Sequence, residues 1–171
     1  MAAAQSPYVV PVHDLVYRPG EYRDLLVNLA VPEQLGQGAM VVREGEALGI
    51  GLRLEGLHEG ILVTAELSTT ARGECVRCLD PVELALLPDF QELYAYTPTE
   101  GLDYVVVDDR IDLEPAVRDA IVLALPFQPL CRPDCPGLDP ATGAKRVAPA
   151  EDAPGPVDPR WGALEGFRLD D

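Results

Sequence analysis

Residues 47–75, ALGIGLRLEGLHEGILVTAELSTTARGEC, contain two runs of alternating apolar residues that are joined by a short turn. The residues of the apolar parity are Leu48, Ile50, Leu52 and Leu54 in the first run, then Ile61, Val63, Ala65, Leu67, Thr69, Ala71 and Cys75 in the second. Such alternation is typical of strands with one buried face, and GLHEG at 56–60 supplies turn residues. The stretch therefore predicts a long β-hairpin in which Cys75 points with the apolar face.

Most of the remaining sequence before residue 110 also indicates strands. Strand-like segments are YVVPVHDL (8–15), YRDLLVNLAV (22–31), PVELALL (81–87), FQELYAY (90–96) and DYVVVDD (103–109). They are rich in β-branched and aromatic residues and are separated by proline or glycine. VPEQLGQGAM at 31–40 is interpreted as a connection. The first 110 residues or so are therefore expected to be mainly β.

The apolar period changes after residue 110. Apolar residues recur at helical spacing at Leu113, Val117, Ala120, Ile121, Ala124 and Leu125. Asp112 is placed to cap the start of this helix, and Pro126 ends it. The sequence thus predicts an α+β fold: a mainly antiparallel β-sheet or partly open barrel with one long amphipathic helix near 112–125.

The C-terminal region has a different composition. Residues 1–146 are expected to form a single β-rich domain with a cysteine-containing loop, and 147–171 a flexible, acidic and proline-rich tail. Within the tail, residues 158–168 are expected to dock as a short segment. Three apolar residues recur there at threes, namely Trp161, Leu164 and Phe167. We interpret these three side chains as partner-binding, either on this domain or on another protein.

The charge balance restricts the classes of partner. The chain of 171 residues has 13 basic and 29 acidic residues, a net charge of −16. A nucleic-acid binder places cations against phosphates, so an acidic chain meets repulsion there, and basic proteins are the expected partners. The sequence has no apolar stretch of the roughly 18 residues that a membrane span needs. We expect a soluble, cytoplasmic protein with no membrane association and no small-molecule substrate.

The four cysteines form two short-spaced pairs, Cys75 with Cys78 and Cys131 with Cys135. In the cytosol, thiols stay reduced, which disfavours disulfides. Two such pairs can complete a tetrahedral four-thiolate zinc site, although the intervening 52 residues require the fold to bring them together. Redox chemistry would need a CxxC at a helix start, whereas CVRCLDP precedes a turn and a strand. Zinc binding and small buried thiols both remain open.

Other catalytic patterns are absent from the sequence. His13 and His58 have no partner residues that suggest catalysis, and Ser6 and Ser68 lack a nucleophile-elbow context. Asp108, Asp109 and Asp112 are explained by a strand end followed by a helix cap. The sequence therefore does not indicate an enzyme.

Several of these segments together resemble the YceD-like family, the large ribosomal RNA subunit accumulation proteins. The segments are CVRCLDP, DLEPAVRDAIVLALP, PLCRPDCPGL and DPRWGALEGF, which cover about 73–168 in that order. The resemblance implies a role in synthesis, processing or stability of large-subunit ribosomal RNA, without an established catalytic activity. Many relatives add a CPxCG motif after CxxxCxGL, and this chain has Asp139, Pro140, Ala141, Thr142 and Gly143 there.

These observations lead to one expected function and one alternative. We expect a non-enzymatic factor for accumulation of large-subunit ribosomal RNA that binds a basic ribosomal protein or assembly intermediate through an acidic surface, with ribosomal RNA mainly indirect. Zinc is the expected metal, if one is bound. The alternative is a direct RNA-binding module with a zinc-stabilised loop. The arginines that could serve it are Arg72, Arg77, Arg110, Arg118 and Arg132.

Overall fold

The computed structural model describes residues 6–98, 103–147 and 160. In chain order its elements are β1 (Val9–Pro11), β2 (Tyr22–Ala30), β3 (Met40–Val41), β4 (Ala47–Gly56), β5 (Gly60–Glu74), β6 (Pro81–Leu86), β7 (Asp89–Ala95), β8 (Arg110–Asp112) and α1 (Glu114–Ala124). The fold is α+β with antiparallel strand pairing, as predicted from the sequence. Its main sheet stays open and does not form a barrel.

Strand β5 is the central strand of the six-stranded sheet. In its first half, residues 61–66 lie between β4 on one edge and β7 on the other. Its second half, residues 69–74, pairs with β6, and Arg72 and Gly73 pair with β3 on the opposite edge. Strand β2 extends the sheet beyond β4, while β1 and β8 form a separate two-stranded sheet. The long strand therefore connects nearly every part of the β-structure.

The alternation in the hairpin determines which face of the sheet is buried. Ile50 and Leu54 of β4 and Ile61 and Val63 of β5 are fully buried, whereas the polar parity is half-buried or exposed. Cys75 follows the same parity beyond the end of β5 and is also fully buried. The predicted hairpin and the predicted direction of the Cys75 side chain are thus confirmed.

Helix α1 covers part of this buried face. It runs from Glu114 to Ala124 and buries Ala116, Val117 and Ile121. The backbone N–H of Glu114 donates to Asp112 Oδ1 at 3.0 Å, so Asp112 satisfies one of the free donors at the helix start. The helix was predicted for 112–125. The prediction is confirmed apart from the ends, because Asp112 belongs to β8 and the last helical residue is Ala124.

Three segments differ from the sequence-based expectation. Of the segment 8–15, only Val9–Pro11 form a strand, and residues 13–17 make a turn in which the backbone N–H of Val16 donates to the carbonyl oxygen of Val12 at 3.1 Å. The connection 31–40 ends at a short strand, because Met40 and Val41 pair with the end of β5. Residues 103–109 do not form the predicted strand but make isolated bridges, in which Val105 pairs with Ala95 and Val107 with Arg110. Asp108 and Asp109 both have positive φ, 50° and 57°, and this left-handed backbone turns the chain back directly.

The C-terminal predictions lie mostly outside the described residues. The proposed docking segment 158–168 has only Arg160 among them, so the roles of Trp161, Leu164 and Phe167 stay predictions. The division into a domain over 1–146 and a tail over 147–171 stays a prediction as well. In the described part of the chain, no helix is long and apolar enough to cross a membrane.

Gly73 permits the close approach of β3 to β5, and its replacement tests that contact. A Cβ at Gly73 would lie 2.0 Å from the carbonyl oxygen of Ala39 and 2.8 Å from the Cα of Met40. We expect Gly73→Ala to lower the free energy of unfolding by about 1–3 kcal/mol, the usual cost of overpacking, as measured by urea denaturation.

Gly51→Ala is the matched control for this strand glycine. A Cβ at Gly51 would meet its nearest neighbour, the carbonyl oxygen of Glu66, at an ordinary distance of 3.7 Å. We expect this variant to be neutral or more stable by up to about 1 kcal/mol, because alanine reduces the freedom of the unfolded chain. Equal destabilisation of the two variants would contradict the assigned contact.

Candidate metal centre

The first cysteine pair lies in the turn that joins β5 to β6. The backbone N–H of Cys75 donates to the carbonyl oxygen of Asp80 at 2.7 Å, and the N–H of Leu79 donates to that of Cys75 at 2.9 Å. Leu79 has a φ of 62°, an uncommon conformation for a residue with a side chain. The tight turn that results places Cys75 and Cys78 on the same side of the backbone.

The second pair lies in the proline-rich loop after α1, which packs against the first turn. The backbone N–H of Val76 donates to the carbonyl oxygen of Pro129 at 3.0 Å. Arg77 Nη1 donates to the carbonyl oxygen of Cys135 at 3.0 Å. A Cβ on Gly137 would lie 3.1 Å from the carbonyl oxygen of Arg77. One backbone hydrogen bond, the Arg77 guanidinium and the close approach at Gly137 thus hold the two cysteine loops together.

These contacts bring all four sulfur atoms into one cluster. Cys75 Sγ lies 3.8 Å from Cys135 Sγ, and Cys78 Sγ lies 3.6 Å from Cys131 Sγ. All four Sγ atoms lie within 4.8 Å of one another, and none forms a disulfide. A tetrahedral zinc with Zn–S bonds of about 2.3 Å requires sulfur separations of about 3.8 Å. The arrangement is therefore compatible with a four-thiolate zinc site.

Most of the cluster is shielded from solvent. Cys75, Cys78 and Cys135 are buried, and Cys131 is exposed. Three partly buried apolar side chains, Val82, Leu130 and Leu138, pack against the buried cysteines. The cluster is separate from the main hydrophobic core, although Val82 contacts both. It forms a small second core at one end of β5.

The surroundings of the sulfurs favour one thiolate over the others. Burial opposes ionisation of Cys75, but hydrogen bonds from the backbone N–H groups of Cys131, Arg77 and Cys78 prevail and lower the pKa of its thiol to about 6. A hydrogen bond from the backbone N–H of Asp80 lowers the pKa of the Cys78 thiol, but burial and the neighbouring sulfurs outweigh it and raise this pKa to about 12. Burial and Cys135 also raise the pKa of Cys131. A divalent cation would favour ionisation of all four thiols.

The segment that lacks the CPxCG motif forms a small hairpin instead. Leu138 bridges Lys145, and Asp139 Oδ1 accepts the backbone N–H groups of Ala141 and Thr142 at 2.9 and 3.0 Å. These hydrogen bonds lower the pKa of the Asp139 carboxyl. Asp139 therefore acts as a turn residue, and it is not among the residues whose ligand atoms converge.

The five arginines of the RNA-binding alternative are dispersed over several elements. Three form ion pairs with carboxylates: Arg72 with Glu46 and Glu83, Arg118 with Glu33 and Glu114, and Arg132 with Asp134. Arg77 is bound to the second cysteine loop, and Arg110 begins β8. Only Arg77 and Arg132 of this set lie in the cysteine loops. Whether any of them binds RNA stays a prediction.

With this geometry established, similarity to known proteins assigns the family. The family model described as "Large ribosomal RNA subunit accumulation protein YceD" matches residues 63–168. The chain belongs to the YceD family. The matched region begins within β5 and includes α1 and both cysteine loops. The family name implies a role in accumulation of the large ribosomal subunit RNA and denotes no reaction.

Similar proteins occur in mycobacteria and in a bacillus. "Uncharacterized protein Rv2926c" of Mycobacterium tuberculosis is 38% identical over 167 residues, which cover 93% of this chain and 80% of that protein. "Uncharacterized protein ML1660" of Mycobacterium leprae is 33% identical over 93% of this chain and 76% of its own length. "Uncharacterized protein YlbN" of Bacillus subtilis is 33% identical over 53% of this chain and 56% of its own. No solved structure matches the chain significantly.

Two residues of the centre were not assigned their positions by sequence reasoning. Arg77 was considered only as an RNA contact, yet its guanidinium joins the two cysteine loops. Leu79 was not singled out, although the single residue between Cys78 and Asp80 is the place where a tight turn requires positive φ. The short spacing from Cys78 to Pro81 indicates a tight turn, but a leucine followed by an aspartate does not indicate which residue has positive φ.

Replacement of Leu79 tests the strain in this turn. Its side chain is 60% exposed, so its removal loses little buried surface. We expect Leu79→Gly to keep or raise the free energy of unfolding, by up to about 1 kcal/mol, because glycine adopts positive φ without a steric penalty. Val76 in the same turn does not have positive φ, so Val76→Gly relieves no strain. It should be destabilising, because glycine increases the freedom of the unfolded chain. Chemical denaturation measures the free energy of unfolding of both variants. A larger loss of stability in Leu79→Gly than in Val76→Gly would contradict the proposed backbone strain at Leu79.

Proposed function

We propose that this protein is a non-enzymatic factor that supports accumulation of large-subunit ribosomal RNA during ribosome assembly. It would act by binding a basic ribosomal protein or an assembly intermediate of the large subunit, so that its association with RNA is mainly indirect. The supporting observation is the match of residues 63–168 to the family model. That region contains both cysteine pairs and the helix.

We further propose that the four cysteines hold a structural zinc ion. Four sulfur ligands fill a tetrahedral zinc site and leave no open position for a water or substrate, which is the property of structural rather than catalytic zinc. The site also joins the loop after β5 to the loop after α1. Bound zinc would therefore fix the proline-rich segment 126–137, which forms neither helix nor strand.

The charge distribution supports a basic protein partner over naked RNA. The net charge is −16, and the ion pairs of Arg72, Arg118 and Arg132 neutralise cations that an RNA contact would need. Interaction with a basic protein would instead gain from the acidic excess, and an acidic chain can shield such a protein from non-specific contact with RNA. Electrostatics and family membership are thus consistent with one function.

The zinc proposal predicts about one equivalent of zinc in protein purified without chelator. Cys75→Ser combined with Cys78→Ser should abolish binding, since two of four ligands are lost. At free zinc roughly 100- to 1,000-fold above Kd, the stability lost with the metal should be about 3 to 4 kcal/mol. Elemental analysis and thermal unfolding with added zinc measure both effects.

Asp139→Asn is the control for the zinc experiment. Asparagine keeps the side-chain oxygen that accepts the N–H groups of Ala141 and Thr142 but removes the negative charge. We expect this variant to bind zinc as the wild type does. Wild-type protein with far less than one equivalent of zinc, and a double cysteine variant of unchanged stability, would contradict the zinc site.

The partner proposal predicts that the purified protein binds basic large-subunit ribosomal proteins more tightly than naked large-subunit RNA at physiological salt. Affinity for the basic proteins should fall as salt increases, because opposite charges drive the association. Titrations across a salt series, and a pull-down from cell extract with and without nuclease, measure this preference. The interaction should survive nuclease.

One result would favour the RNA-binding alternative instead. It is submicromolar affinity for naked RNA at physiological salt, with a steep salt dependence that disappears when the five arginines are replaced. The replaced residues would be Arg72, Arg77, Arg110, Arg118 and Arg132. A direct phosphate contact by these side chains would produce this slope, since each releases counterions on binding.

A further inference from the structure

We propose that an aromatic groove beside β8 is the docking site for a basic polypeptide segment of the partner. The groove encloses about 600 Å³ and lies between the 103–108 segment, strands β1 and β8, and the start of α1. This inference rests on the proposed function, because it assigns the surface that contacts the basic protein. The cysteine centre contributes no residue to the groove.

A pair of tyrosines forms the groove wall. The ring centroids of Tyr94 and Tyr104 are 5.1 Å apart, with 30° between the ring planes. Tyr94 is 1% exposed, and its hydroxyl donates to the carbonyl oxygen of Asp112 at 3.2 Å. Tyr104 is half-buried, and its carbonyl oxygen accepts the backbone N–H of Ala95 at 3.0 Å. The wall is thus fixed in place, with Tyr104 the more accessible ring.

The rim of the groove carries more negative than positive charge. Asp103, Asp108 and Asp112 line it, with Arg110 as the cationic lining residue. None of these four side chains forms an ion pair with another described residue. Asp103 and Asp108 are exposed, so their charges are available to an external cation.

The electrostatic surroundings of Tyr104 agree with this charge distribution. Burial raises the pKa of Tyr104, and the carboxylates of Glu92, Asp119 and Asp103 raise it further. These carboxylates disfavour a negative charge on the Tyr104 oxygen, which indicates a negative electrostatic potential beside this ring. A cation placed there would be stabilised by the same groups.

This combination fits the side chains of lysine and arginine. Their apolar stems can pack on Tyr104 and on Val107, which is 59% exposed, while the charged ends reach Asp103 and Asp108. The volume lies within the roughly 300–1,000 Å³ typical of ligand sites, so the groove can accept more than one side chain. A phosphate backbone, by contrast, would meet three carboxylates.

The test measures binding of a fluorescein-labelled oligoarginine peptide, and of the basic ribosomal proteins, by fluorescence anisotropy. Asp103→Asn with Asp108→Asn should weaken binding about five- to tenfold, because two exposed ion pairs are lost. Asparagine tolerates the positive φ at position 108, so the turn is kept. Tyr104→Leu should weaken binding about two- to fivefold through loss of the cation–π contact.

Arg110 gives a test of opposite sign. Its guanidinium would repel a basic segment, so Arg110→Gln should tighten peptide binding by about two- to fivefold. If the groove served RNA instead, the same variant would weaken binding of large-subunit RNA and leave the peptide unaffected. That second pattern would overturn the proposal.

The matched control removes the same number of charges from the other face of the sheet. Glu66→Gln with Asp89→Asn does so, because both residues are exposed and form no ion pair within the described chain. We expect this variant to bind within about twofold of wild type, because salt largely screens the interaction of a bound peptide with exposed charges outside the groove. Equal losses in the control and the groove variant would overturn the proposal.

The groove and the proposed function can fail separately. If the wild-type protein binds no basic ribosomal protein but binds oligoarginine through Asp103 and Asp108, the function fails and the groove stands as a site for basic segments. If a basic ribosomal protein binds the wild type and the groove variant equally, the function stands and the groove is overturned. Thermal unfolding of each variant confirms that the fold is retained.

Discussion

The double-sided pairing of β5 is the constraint on which the rest of the structure depends. Its backbone pairs on both edges with β4 and β7 at residues 61–66 and with β3 and β6 at Arg72 and Gly73. A strand of 15 residues pairs in this way only if its alternation stays in register throughout, since a shift of one residue would expose Ile61 and Val63. That same register continues to Cys75 and directs its sulfur inward.

The cysteine centre extends this constraint to a segment without regular structure. The turn after β5 positions Cys75 and Cys78, but Cys131 and Cys135 lie in a loop that neither strand pairing nor helix geometry determines. Its position follows from a backbone hydrogen bond with Val76, from the guanidinium of Arg77 and from the packing of the four cysteines. Four sulfurs this close are compatible with a bound zinc ion, whose positive charge would offset the repulsion between their thiolates.

Sequence reasoning predicted what depends on periodicity and could not predict what depends on tertiary contact. The hairpin and α1 were predictable because alternation and helical spacing reflect burial of one face. The segment 103–109 was misjudged, since its β-branched run suggested a strand while Asp108 and Asp109 turn left-handed. The cysteine pairs were recognisable as one candidate site, but their approach depends on Gly137 and on hydrogen bonds between loops, which no spacing encodes.

The net charge of the chain can be counted from the sequence, but only the fold determines where unpaired charges lie on the surface. A value of −16 indicates which partners are repelled, but it does not distinguish a paired charge from an available one. The structure makes that distinction: Arg72 and Arg118 are neutralised by carboxylates, whereas Asp103 and Asp108 have no ion-pair partner among the described residues. The charges of Asp103 and Asp108 beside Tyr104 are therefore available to an external cation. A basic segment would meet it with little competition from the protein's own cations, apart from Arg110.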